Sequence, residues 1–280
     1  SVGYVSYSDD GITWATPFQV GTRLWYGVAV NSSGRFVAVG SVGYVSYSDD
    51  GITWATPFKV GTYYWRGVAV NSAGRFVAVG SVGYVSYSDD GITWATPFKV
   101  GTYYWRGVAV NSAGRFVAVG SVGYVSYSDD GITWVTPFQV GTRYWYAVAV
   151  NSSGRFVAVG NSGYISYSND GITWATPFKV GTSHWSGIAV NSAGRFVAVG
   201  DYGHITRSLL QDTIQMSSNG GTTWGSDTLI PLYGSIPITG FGIDISFGHA
   251  EGHTVGDYWS FTQGAMRGLA ITDSGGDEYL

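Results

Sequence analysis

The sequence predicts an all-β chain assembled from one four-stranded unit used in tandem. Three observations carry this. Residues 41–80 and 81–120 are identical at every position, and 1–40, 121–160 and 161–200 carry the same unit with scattered substitutions. Val, Tyr, Trp, Thr and Gly dominate and charged residues make up only 11%, which suits short strands and tight turns better than helices. The same turn-forming clusters separate the same apolar runs in every copy. A period of this length sets the architecture before any local argument, and whatever one unit does is done several times on one molecule.

Within one unit the elements follow in order. Gly27–Val30 runs into Asn31-Ser32-Ser33-Gly34 and continues as Arg35–Val39, a hairpin signal because Asn and Gly accept positive φ. Gly43–Tyr47 alternates in and out, turns at Asp49-Asp50-Gly51 and leaves along Ile52-Thr53-Trp54. Pro57 ends this fourth strand, and Val60-Gly61-Thr62 links to the next unit. Four antiparallel strands in each repeat, in tandem, are the signature of a β-propeller blade, with a stacked solenoid as runner-up. Residues 1–208 are expected to form the propeller. Five blades are favoured, closed by joining the Gly3–Phe18 hairpin to the Trp185–Gly200 hairpin in one blade; six or seven stay open if Ser1 is an internal start. Residues 209–280 change character and read as a small β-sandwich-like domain of alternating strands and Gly-rich turns.

Bulk properties exclude several function classes. A net charge of −4 without a Lys/Arg block argues against nucleic acid and anionic membrane surfaces. The lack of cysteine removes disulfides and thiolate metal sites, and no apolar run is long enough to span a bilayer. His249 and His253 flank Glu251, but no third ligand type stands at a suitable spacing, so a turn is the better reading and no metal or cofactor is expected.

The Asp49-Asp50-Gly51-Ile52-Thr53-Trp54 turn resembles the Asp-box of sialidase-like propellers. The match covers Asp9, Gly11, Thr13 and Trp14 and returns in each unit, with Tyr7 where the pattern has a leading Ser and Asn169 in place of the aspartate in the fifth copy. The resemblance implies a folding element away from the binding face: the aspartate accepts amides across the turn and the tryptophan packs beneath the hairpin. The layout also resembles the five-bladed lectin propellers. Residues 211–262, with Asp212-Thr213-Ile214, Asn219-Gly220-Gly221-Thr222-Thr223-Trp224 and Gly252-His253-Thr254-Val255-Gly256-Asp257, look like a module of tailed-phage structural and prophage surface proteins. Ser217–Trp224 reads alternatively as a sixth, degenerate Asp-box.

Comparison among copies locates the candidate site. Substitutions gather in the connection from fourth to first strand and in the turn between second and third, which leave a four-stranded blade on one face. That face offers Arg23, Trp25 and Tyr26, then Tyr63, Tyr64, Trp65 and Arg66, then Tyr103, Tyr104, Trp105 and Arg106, then Arg143, Tyr144, Trp145 and Tyr146, and finally His184 and Trp185. Aromatic planes suit the apolar faces of sugars, and Arg and Tyr supply hydrogen bonds. The tryptophans read equally well as wedges between blades. The leading expectation is multivalent, non-catalytic binding of cell-surface glycans, as part of a phage or prophage-derived tail or on an extracellular surface. The alternative is a structural virion or surface protein whose propeller docks other tail or surface subunits, with self-association left open. A glycoside hydrolase ranks lower: residues 1–208 contain no glutamate, so two carboxylates flanking a scissile bond have no evident source and no catalytic residue is expected.

Overall fold

The computed structural model describes residues 3–208 continuously and, beyond them, a set of short strands. The chain divides into two compact units, Ser1–Ser208 and Leu209–Leu280. The first opens with β1 (Tyr4–Val5) paired to β2 (Phe18–Gln19). Four complete antiparallel blades follow. They are β3 (Trp25–Val30), β4 (Phe36–Gly40), β5 (Tyr44–Ser48) and β6 (Phe58–Lys59); β7 (Trp65–Val70), β8 (Phe76–Gly80), β9 (Tyr84–Ser88) and β10 (Phe98–Lys99); β11 (Trp105–Val110), β12 (Phe116–Gly120), β13 (Tyr124–Ser128) and β14 (Phe138–Gln139); and β15 (Trp145–Val150), β16 (Phe156–Gly160), β17 (Tyr164–Ser168) and β18 (Phe178–Lys179). A fifth blade has three strands, β19 (Trp185–Val190), β20 (Phe196–Gly200) and β21 (Ile205–Arg207). The first strands β3, β7, β11, β15 and β19 lie against one another in succession, so they form the inner wall.

Alternation explains the packing. In Phe76-Val77-Ala78-Val79, the valines join Val85 in facing the following blade, where they meet Trp105, Phe116 and Ala118. Phe76 and Ala78 point the other way and join Trp65 against Val37, Val39 and Val45 of the preceding blade. The second strand is thus apolar on both sides because both sides are covered, and every residue of β8 and β12 is buried. Each fully buried Val or Phe contributes about 1.5–3 kcal/mol.

Two expectations need correction. The fourth strand is not Ile52–Trp54 but the two-residue β6 beyond Pro57. Asp50 accepts the amides of Ile52 and Thr53, which removes them from any ladder, and proline has no amide to offer. Nor do the chain-end hairpins share a blade: β1–β2 is a sheet of its own, and the edge of β20 is filled by β21, the strand covalently next to it. The blade faces at the two ends are consequently open. Val28 is 62% exposed on β3, and Ile205 is 70% exposed where its counterparts Val45, Val85 and Val125 are completely buried.

In the second unit β22 (Thr213–Ile214) pairs with β23 (Thr228–Leu229), β24 (Gly234–Ile238) with β25 (Ile243–Phe247), and β26 (Ile271–Thr272) with β27 (Glu278–Tyr279), all antiparallel. The sandwich arrangement, the Ser217–Trp224 segment, the His249/Glu251/His253 group and the Gly252–Phe261 stretch lie outside the described residues.

The turn from second to third strand is strained at one residue and pinched at the next. Val42, Val82 and Val122 adopt left-handed φ of 56°, 58° and 56°, a conformation that costs a β-branched residue about 1–2 kcal/mol. Gly83 follows at φ 81°, and a Cβ there would collide with the carbonyl of Gly101. Neighbouring substitutions therefore act in opposite directions. Val82→Asn should raise stability by about 1 kcal/mol, and Gly83→Ala should lower it by about 2 kcal/mol or more, read from urea midpoints. A turn of different geometry would give equal or reversed signs.

Candidate binding face

The connections sort onto two sides. On one, the Arg35 guanidinium donates to both Asp49 oxygens at 2.6 and 3.1 Å and reaches the Asp90 carbonyl of the next blade at 2.8 Å. This joins the turn between first and second strands to the turns between third and fourth, and Arg75 and Arg115 repeat it. On the other side the Gly43 carbonyl accepts the Val60 amide at 2.7 Å, and the Ser41 amide donates to the Leu24 carbonyl at 2.8 Å. These are the variable connections.

The aspartate that organises the first side is the second of each pair. Asp50 accepts the amides of Ile52 and Thr53 and the Ser48 hydroxyl, and the Trp54 indole closes onto the Gly51 carbonyl at 3.1 Å. The Thr13 and Ile12 amides lower the Asp10 carboxyl to about 2, and those of Thr53 and Ile52 do the same for Asp50. In Asp90 burial pushes the carboxyl up, but the Thr93 and Ile92 amides outweigh it and the net shift is downward. Asp9 and its counterparts, the positions matched by sequence, have a different job: Asp49, Asp89 and Asp129 are the partners of the arginines. That division explains why Asn169 is tolerated, since Asp170 still holds its turn and Asn169 still accepts from Arg155 at 2.8 Å. In the last copy the corresponding residue is Leu209, and among the described residues the buried Nε of Arg195 has no hydrogen-bond partner.

On the variable side the tryptophans are wedges. Trp65, Trp105 and Trp145 have no exposed surface and Trp185 is 3% exposed, so these residues do not meet a ligand; Trp25 is half-buried in the same position. Each indole N–H donates to the valine carbonyl of its own connection, from Trp25 to Val20 at 3.0 Å through Trp185 to Val180 at 3.1 Å. Register explains the next residue. A bulge falls between Trp65 and Gly67, and likewise in every first strand, so Tyr26, Arg66, Arg106, Tyr146 and Ser186 are the extra residues. They follow one another along the inner wall, where a Cβ on Gly67 would sit in ordinary van der Waals contact with the Arg106 carbonyl and Gly107.

The remaining expected residues find partners within the protein. Tyr63 stacks on Tyr84 and Tyr103 on Tyr124, with ring centroids 3.3 Å apart. Arg23 lies over Tyr44 at 5.5 Å and Arg143 over Tyr164 at 4.8 Å. In the fifth copy Ser183 contacts His204 at the same place. Variation at this position is therefore matched by an internal partner, which the sequence reading did not foresee. Its missed half is Tyr44 and its equivalents, and the signal was their register opposite Lys59, Lys99 and Lys179, whose ammonium groups sit over three of these rings. Tyr64, Tyr104 and Tyr144 stay 42%, 52% and 40% exposed, and His184 is exposed at the same position. Among the described residues no group of His, Asp or Glu could hold a metal ion.

No protein-family model matches the sequence, and no curated protein does. Among solved structures, "YCF48 bound to D1 peptide" is similar to this chain with a TM-score of 0.54 and 19% identity, over 77% of this chain and 71% of that one. At that identity the likeness shows the fold, a repeat β-propeller.

The arginine staple yields a direct test. Asn169→Asp restores a two-oxygen partner for Arg155 and should stabilise the chain by about 0.5–1 kcal/mol at low salt, fading as salt rises. A stability unchanged or lowered by this substitution would contradict the role assigned to the first aspartate of each pair.

Proposed function

We propose that the propeller is a non-catalytic, multivalent module that binds cell-surface glycans, carried on a phage or prophage-derived tail or another extracellular surface. The observation that carries this reading is the recurrence of an exposed aromatic at one position in successive blades: Tyr64, Tyr104, Tyr144 and then His184. A tyrosine ring offers an apolar plane for sugar C–H groups and a hydroxyl for hydrogen bonding. Several weak, like sites on successive rigid blades gain avidity against a repetitive surface without any tight single site. The resemblance of residues 211–262 to phage and prophage modules supports the setting.

A hydrolase reading has less support. The turn aspartates are engaged by amides, hydroxyls and arginines, and the shifts of Asp10, Asp50, Asp90, Asp130 and Asp170 are downward, the wrong direction for a general acid at neutral pH. The second reading is protein docking, in a virion or on a surface; the similar propeller, YCF48, is bound to a peptide, which favours keeping it.

The test is a glycan array probed with the full chain and with the Tyr64/Tyr104/Tyr144→Ala variant. Saturable binding to one glycan family, weakened about tenfold or more in the variant, is expected. An array blank for the parent chain, or equal signals from both proteins, would overturn the reading and move the weight to protein docking.

A further inference from the structure

The charges of the propeller are segregated by face. The aspartates of the described residues sit in the turns between third and fourth strands, with Asp201 as the exception. The arginines of the other turns are there to meet them, as Arg35, Arg75 and Arg115 do. The variable side carries cations without counterparts. Lys59, Lys99 and Lys179 stand on the outermost strands, Arg23 and Arg143 in the connections, and Arg66 and Arg106 on the inner wall. Among the described residues none of these has an ion-pair partner, and Asp201 is the sole carboxylate on that side.

Arg66 and Arg106 show what this arrangement costs. They are the bulge residues of neighbouring first strands, inside repeats of identical sequence. Yet they settle differently. Arg66 lies over Tyr26 of the preceding blade at 4.4 Å, whereas Arg106 lies over Tyr146 of the following blade at 5.0 Å. The two side chains turn to tyrosines of different blades, and among the described residues the buried Nε of Arg106 has no hydrogen-bond partner. An anion between them would neutralise like charge and accept from their terminal guanidinium N–H groups.

We infer that the variable face takes an acidic polysaccharide, one bearing carboxylate or sulfate groups along its length, with Arg66 and Arg106 as the central anion site and the lysines as outlying contacts. This rests on the glycan reading and narrows it. The spread of cations from rim to inner wall matches a chain with repeated charges better than a single terminal acid. Single-stranded nucleic acid is the competing occupant, since the exposed rings of Tyr64, Tyr104 and Tyr144 could stack on bases as well as on sugars; the net charge of −4 weighs against it.

The experiment measures binding of the full chain to polygalacturonate and dextran sulfate, to fully methyl-esterified polygalacturonate and dextran as uncharged controls, and to oligo-dA and poly-glutamate. At least one acidic polysaccharide should bind about tenfold or more tightly than its uncharged control, weaken as salt rises, and lose about tenfold in Arg66→Gln/Arg106→Gln. The circular dichroism and melting temperature of that variant should stay those of the parent. Equal affinity for charged and uncharged polymers would overturn the inference, as would oligo-dA or poly-glutamate binding as tightly as the polysaccharides. Neutral sugars bound on the array with no preference for acidic ones would overturn this inference alone; an array blank for every sugar would overturn the glycan reading beneath it.

Discussion

Every blade depends on the contact between a valine face and a tryptophan–phenylalanine face. Val77, Val79 and Val85 of one blade are covered by Trp105, Phe116 and Ala118 of the next, and the same exchange recurs on either side. A single blade is a thin sheet with both sides apolar, so it has no stable existence alone and gains its core only from neighbours. The connections inherit their shape from this contact. The wedge tryptophan fixes the preceding valine through its indole N–H, the valine positions the Gly-pinched turn, and the bulge that follows the tryptophan places one side chain per blade at the inner wall. The side chains presented at the inner wall are thus set by packing, one step removed.

The two sides of the disc answer different physical demands. The Asp and Arg turns use charge to bind blade to blade: one arginine spans its own aspartate and the next blade's carbonyl. Charge there is consumed internally. On the variable side charge is held by aromatic rings, which orient a cation while leaving its hydrogen-bond donors free. A face of that kind remains open to an external acceptor. The left-handed valines lie on this side too, so it carries backbone strain as well as unneutralised charge.

Much of the fold was legible in the sequence because each signal was repeated. The period set the unit, and Asn-Ser-x-Gly marked the first hairpin. Errors arose where two adjacent residues of one type divide the work. In Asp49-Asp50 the pattern match pointed to the first as the turn acceptor, while geometry gives that role to the second. The clue was Asn169, a substitution that would harm an acceptor of several amides more than a partner of one arginine. The tryptophans were ambiguous because wedge and ligand platform share one composition, and only burial separates them. The internal partners of Tyr63 and Arg143 were hidden because register across the connection is a tertiary fact. Closure of the chain ends by pairing failed for a local reason: Ile205–Arg207 reaches the edge of β20 first.

The central claim, that the tryptophans belong to the interblade core and not to the variable face, is tested most directly by indole N–H hydrogen exchange followed by NMR. The Nε1 protons of Trp65, Trp105 and Trp145 are buried and bonded to Val60, Val100 and Val140, and they should exchange as slowly as the core strand amides. Trp14, 62% exposed, should exchange at once. Fast exchange at all of these indoles would contradict the account, because the faces on which the blades depend would then be open to water.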